Sequence, residues 1–243
     1  TLCGLGRLDE AISSYRRALE HRSDFVMALN NLASALMAQS KPAAALDAAK
    51  RSLQIDETDD AKAILVSCLS HARGVTDKGL RPVMVRALSE HWGWPSSLTR
   101  VCLDLIMLDH DIAGCVARAV EAWPRPLSRY ALFCANGLGA LAADPLLSAL
   151  LDAAPICDIE MERFLTTARR GLLDAAAVDG LGFYSALARQ CFINEYVFAV
   201  TPEEARKAGD LRDRLSSALE ADAPVPALWL VAVAAYFPLG PLP

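Results

Sequence analysis

A 34-residue repeat near the N-terminus constrains this chain more than any local propensity does. The stretch from Gly6 to Leu19 returns in pattern from Ser40 to Leu53: Ala11 is answered by Ala45, Ala18 by the small Ser52, and Leu19 by Leu53, each 34 residues on. A unit of that length cannot bury its apolar face alone, so it must stack on a copy of itself. Between the copies, Ala28 to Leu36 places apolar residues at i, i+3, i+4 and i+7, which is one face of a helix. Val66 lies 34 residues beyond Leu32 and sets a further helix over 61–72. Antiparallel helices approach closely where the contact carries Ala or Gly, as Ala11, Ala18, Ala33 and Ala45 provide. Tyr15, Leu29, Leu32 and Leu36 are then the large residues that fill the space between units.

These residues resemble the tetratricopeptide family over about the first 75 positions. The sequence departs from that family where Ser23 and Glu57 replace the proline that usually closes the second helix, and where Ala49 replaces the aromatic seen at Tyr15. The first repeat lacks its first helix, so residue 1 reads as a cut. The resemblance implies a helical-hairpin solenoid whose concave face is built by the first helix of each pair. Asn30, Asn31 and Ser34 lie off the Leu29–Leu32–Leu36 stripe and are expected to face that groove, where asparagines clamp a peptide backbone without reading its side chains. The implied partner is a protein or peptide.

Beyond Gly74 the period fails but helical patterning continues, so residues 76–243 are expected to form a non-repeating α-helical bundle. Helices are expected over 82–91, from Ser96 or Ser97 to Leu108, over 112–123 behind Asp111, over 127–142, and over 145–153 behind Asp144. Others follow over 159–178 behind Asp158, over 183–200, from the capping signal Thr201-Pro202-Glu203-Glu204 to about Ala221, and over 227–237. No run of alternating β-branched residues competes, and the class is all-α.

Composition narrows the function classes. A net charge of −5 supplies no basic face for phosphate, so nucleic acid is excluded as a partner. The 53% hydrophobic content is largely Ala and Leu, and the apolar run after Ala223 is cut by prolines too often to span a bilayer. Seven scattered cysteines, never in a C-x-x-C pair, read as small buried hydrophobes in a reducing compartment, which implies the cytoplasm.

Chemistry-bearing motifs are sparse, and no catalytic, cofactor or metal residue is assigned. Asp109-His110-Asp111 reads as a solvated helix terminus, because adjacent residues on a helix point apart. Gly137 and Gly139 follow no strand and are read as close helix packing. Trp92 and Trp94 flank Gly93 and lock a corner by burial or form an aromatic ligand wall. Gln190, Asn194 and Glu195 place polar groups among Phe192, Tyr196 and Val197, which implies a polar network that fixes helix order or a contact with a further domain.

A second resemblance covers roughly residues 80–243. Leu141 to Leu147, Glu162 to Thr166, Ala188 to Phe198 and Ala234 to Leu239 are similar to the helical N-terminal region of bacterial tetratricopeptide-containing class I methyltransferases. It implies that a Rossmann-like domain binding S-adenosylmethionine follows these helices. The strand and glycine-rich turn which such a domain needs do not occur in these 243 residues. The chain is thus expected to be the non-catalytic, substrate-recruiting front of a methyltransferase, carrying no cofactor itself and partnered by its own downstream domain. The alternatives are a free-standing adaptor and, more remotely, the helical part of a glycosyl- or sulfotransferase.

Overall fold

The computed structural model describes residues 7–175 and 179–240, and among them every regular element is helical. Residues up to Leu105 and residues from Ile106 onward form two compact units. The first contains α1 (Leu8–His21), α2 (Val26–Ala38), α3 (Pro42–Ile55), α4 (Asp59–Ser70), a 3-10 turn at Lys78–Leu80, α5 (Arg81–Ser89) and most of α6 (Pro95–Ile106). The second contains α7 (His110–Ala122), α8 (Arg129–Phe133), α9 (Gly137–Ala143), α10 (Pro145–Ala153), α11 (Ile159–Leu173), α12 (Leu181–Ile193), α13 (Pro202–Glu220) and α14 (Ala227–Ala234). The 34-residue pattern stops near residue 70, yet α5 and α6 belong to the same compact unit as the helices that carry it.

In the first unit α2 packs against α1, α3 and α4, and α3 packs against α4. Small residues permit the approach: Ala11, Ala28, Ala33, Ala35, Ala45, Ala48 and Ala49 are all buried. Local signals set the helix starts. Pro42 opens α3, where its missing N–H costs nothing. Thr58 caps α4 by accepting from the Ala61 amide at 3.2 Å, with Asp59 and Asp60 in the first turn. The repeat itself needs a correction. The buried set Ala28, Leu32, Ala33, Ala35 and Leu36 on α2 is matched on α4 by Ala61, Leu65, Val66, Cys68 and Leu69, so each counterpart lies 33 residues on. The cause is the connection: residues 22–25 join α1 to α2, whereas residues 56–58 join α3 to α4. Leu32 therefore corresponds to Leu65, not to Val66.

The chain after α4 is tied down by polar contacts. Arg81 donates to the Leu105 carbonyl at 2.5 Å, and Asp104 accepts from the Val75 amide at 3.2 Å. A Cβ on Gly93 would sit 2.8 Å from Val66 Cγ1, so the close approach to α4 requires glycine. Beside it the Trp92 indole donates to Glu90 at 2.8 Å, and its ring lies under Lys62 and Arg86 at 5.0 and 5.2 Å. Trp94 is 83% exposed, so the corner is held through the half-buried Trp92 and its polar contacts.

In the second unit α7 packs on α11 and α9, α12 on α10 and α14, and α13 on α11 and α14. Phe133, Phe164, Phe183 and Tyr184 meet mostly edge to face at its centre, with ring centroids 5.3–6.5 Å apart. Several helices differ from the sequence expectation: α6 starts at Pro95, ahead of the Ser96 or Ser97 cap expected for it, and ends at Ile106, and α14 ends at Ala234. The helix expected over 127–142 is broken at Cys134, whose φ is +50°, into α8 and α9. The break lets α9 close on α7, where a Cβ on Gly137 would lie 2.3 Å from Cys115 Sγ; Gly139 meets nothing within 4 Å. The helix expected over 183–200 ends at Ile193, because Glu195 and Tyr196 take left-handed φ values of 52° and 58°. Asp109, not Asp111, caps α7, accepting from the Asp111 and Ile112 amides at 3.0 and 3.1 Å. The α11 helix ends at Leu173, and the last residues expected in it, 176–178, lie outside the described residues. No described helix is long and apolar enough to cross a membrane.

Candidate functional site

Helical geometry on α2 sorts its side chains into two sets. Leu29, Leu32 and Leu36 enter the core, while Met27, Asn30, Asn31 and Ser34, at i, i+3, i+4 and i+7, share the opposite side. That side opens on a groove of about 660 Å³ whose far wall is Asp60, Ala63 and Ile64 of α4. Residues of the turns before α2 and before α4, Arg22 to Phe25 and Ile55 to Thr58, complete its lining. All three residues expected at a groove thus line the same one.

Their polar atoms are not equivalent. The buried Ser52 hydroxyl of α3 donates to Asn30 Oδ1 at 2.6 Å, so half of the Asn30 amide is committed to holding α3 on α2. The Ser34 hydroxyl donates to the Asn30 carbonyl at 3.0 Å, back onto its own helix. Asn31 is exposed, and among the described residues nothing hydrogen-bonds its side chain. It offers one acceptor and two donors to the groove. The 33-residue correspondence places Ala63 and Ile64 opposite Asn30 and Asn31, so asparagine is not repeated on the second wall. Instead Ala63 and Ile64, with Met27 (65% exposed) and Ile55, give the groove an apolar strip beside Asp60.

Gln190, Asn194 and Glu195 do not converge. Gln190 is fully buried; its Nε2 donates to the Leu151 and Ala154 carbonyls at 2.9 and 2.8 Å, and its Oε1 accepts from the Ile156 amide at 3.0 Å. It thereby satisfies the chain that leaves α10. Asn194 is buried at the C-cap of α12, whereas Glu195 is exposed.

The larger buried network lies elsewhere and was missed from the sequence. The Glu204 carboxylate accepts from Arg169 at 2.9 Å and from the Tyr236 hydroxyl at 2.6 Å on one oxygen. On the other it accepts from Arg170 at 3.0 Å and from the Thr201 amide at 3.2 Å. The last bond completes a capping box, so one side chain both starts α13 and binds to it α11 and the turn that follows α14. Arg169 also donates to the Ala199 carbonyl at 2.7 Å and stacks 4.5 Å from the Tyr236 ring. Burial, aided by the bond to Glu204, drives the Tyr236 hydroxyl far above its ordinary range. A signal was present: Leu165, Ala168, Arg169 and Leu172 fall on one helical stripe, which puts a guanidinium at a core position. Arg170 on α11 and the Pro124 carbonyl meet at 3.5 Å beside these groups.

Four of the described cysteines, Cys68, Cys102, Cys115 and Cys191, are buried as expected, and two are not. Burial pushes Cys68 and Cys191 up to about 11 and Cys102 up to about 12, while Cys134 and Cys157 are exposed. Cys3 lies outside the described residues. Among those residues no three His, Cys, Asp or Glu side chains are grouped so as to hold a metal ion.

No family model, curated protein or solved structure matches this chain. The site must be read from its own chemistry.

Proposed function

We propose that this chain is a non-catalytic protein-interaction region, built as a tetratricopeptide-like helical solenoid that leads into a helical bundle, and that it holds an extended peptide between α2 and α4. The observation that carries this reading is the placement of Asn31. A free carboxamide projects into a groove floored by packed helices and walled by Met27, Ile55 and Ile64. A carboxamide matches the donor and acceptor of a peptide unit, and the apolar wall takes side chains in alternation along an extended strand. The test is selection of a random dodecapeptide library on the immobilised protein. Asn31→Ala should weaken the selected peptides about five- to tenfold, the equivalent of one or two hydrogen bonds, with thermal stability unchanged. Equal binding by Asn31→Ala would remove the clamp.

The further reading is that these helices recruit substrate for an S-adenosylmethionine-dependent methyltransferase domain in the same polypeptide, in the cytoplasm. It rests on the resemblance of residues 80–243. Gln190 and Tyr236, both in the stretches that carry it, spend their polar atoms inside the fold, which favours scaffolding over chemistry for these helices. Isothermal titration of the 243-residue chain with S-adenosylmethionine should show no heat of binding, and methyl transfer should require the product of the complete reading frame. If that frame ends at Pro243, a free-standing adaptor is the reading that stands.

A further inference from the structure

We infer that the groove between α2 and α4 selects a basic segment: an extended peptide with a large apolar side chain flanked by Lys or Arg. This rests on the groove reading above and adds a partner chemistry to it.

Three carboxylates line the groove, Asp24, Asp56 and Asp60, against one cation, Arg22. Arg22 is already engaged. Its Nε donates to Asp24 at 3.2 Å, and its guanidinium lies 5.3 Å from the Phe25 ring. Asp56 and Asp60 have no ion-pair partner among the described residues, and both are exposed at the end where α3 hands over to α4. Neighbouring cations are directed elsewhere. Lys62 pairs with Glu57 and Glu90 and covers Trp92, while Arg51 donates to the Ser23 carbonyl; neither lines the groove. Two uncompensated negative charges therefore sit beside an apolar wall and a free backbone-binding amide. An acidic peptide would bring like charges together there, and a neutral one would leave the carboxylates without a partner. The net charge of −5 on the whole chain draws a basic partner by the same sign at long range.

The library selection decides the matter when its winners are read for charge. The expected winners carry Lys or Arg within two residues of Leu, Ile, Met or Phe. A labelled winner, followed by fluorescence anisotropy, should lose about two- to fivefold in affinity with Asp56→Asn and again with Asp60→Asn, at low salt. Raising the salt to about 0.5 M should weaken the wild type towards the level of the double variant. Acidic or neutral winners, or unchanged affinity in Asp56→Asn/Asp60→Asn, overturn the charge inference and leave the groove reading in place. An absence of any enriched peptide overturns both. Circular dichroism of the double variant at the wild-type melting temperature separates lost recognition from lost folding, because neither aspartate is buried.

Discussion

In residues 7–105 the buried set is Ala, Leu, Ile, Val, Cys and Met with one polar side chain, Ser52; in residues 106–240 it includes Asp144, Thr166, Thr167, Arg169, Gln190, Asn194 and Glu204. Within the first region α1–α4 are related by a repeat, so nearest neighbours decide their packing. The second has no repeat to guide it. Eight helices of 5 to 19 residues could pair in several ways by apolar faces alone. There a carboxylate with four donors, and an amide with three backbone partners, are satisfied in a single arrangement. The difference teaches that periodicity and buried polarity are two answers to the same question of which helix packs on which.

The largest expected effect is in the second region. Glu204→Ala removes the partner of two arginines and a tyrosine at once, leaving Arg169 charged and buried, and should cost about 3–5 kcal/mol in urea denaturation. A loss below about 1 kcal/mol would mean that the network adds little and that the contrast fails. Gln190→Ala strands two carbonyls and an amide near residues 151–156, and should cost about 2–4 kcal/mol by the same measurement. In the first region Ala33→Leu overpacks a fully buried position and should cost about 1–3 kcal/mol. Indifference there would mean that small residues are not what permits the approach of its helices.

The smallest effect concerns acid. The Arg86 guanidinium, helped by Lys62, holds Glu57 down from an ordinary 4.5 to about 2. A depressed carboxylate stabilises the folded state above its ordinary value, and that contribution fades as pH falls from about 4.5 towards 2. The wild type should therefore lose its advantage over Glu57→Gln across that window. The shift will be slight, because the cluster is solvated. Parallel melting curves for the two proteins at pH 5 and pH 3 check the sign.

Much of the groove was legible because a helix projects its residues with a known period. Met27, Asn30, Asn31 and Ser34 had to share a side once Leu29, Leu32 and Leu36 were given to the core. That Asn31 would be free while Asn30 and Ser34 are committed was not legible. It depends on Ser52, 22 residues from Asn30 and brought beside it by the α2–α3 packing. Nor was the one-residue shortening before α4 visible, since Leu65 and Val66 are both apolar and only the burial of the whole set distinguishes the registers.

The amino-acid sequence by itself determined that this chain is helical, where most of its helices start, and that its first part repeats. Those properties follow from contacts within three or four residues, from proline and cap chemistry, and from small residues at a fixed spacing. The tertiary structure alone decided the break at Cys134, the left-handed exit from α12 and the meeting of Arg169, Arg170, Glu204 and Tyr236. Arg169, Arg170 and Tyr236 each lie 32 to 35 residues from Glu204 in the chain. No local rule joins them, and the cost of leaving any one of them buried without the others is felt only when the helices close.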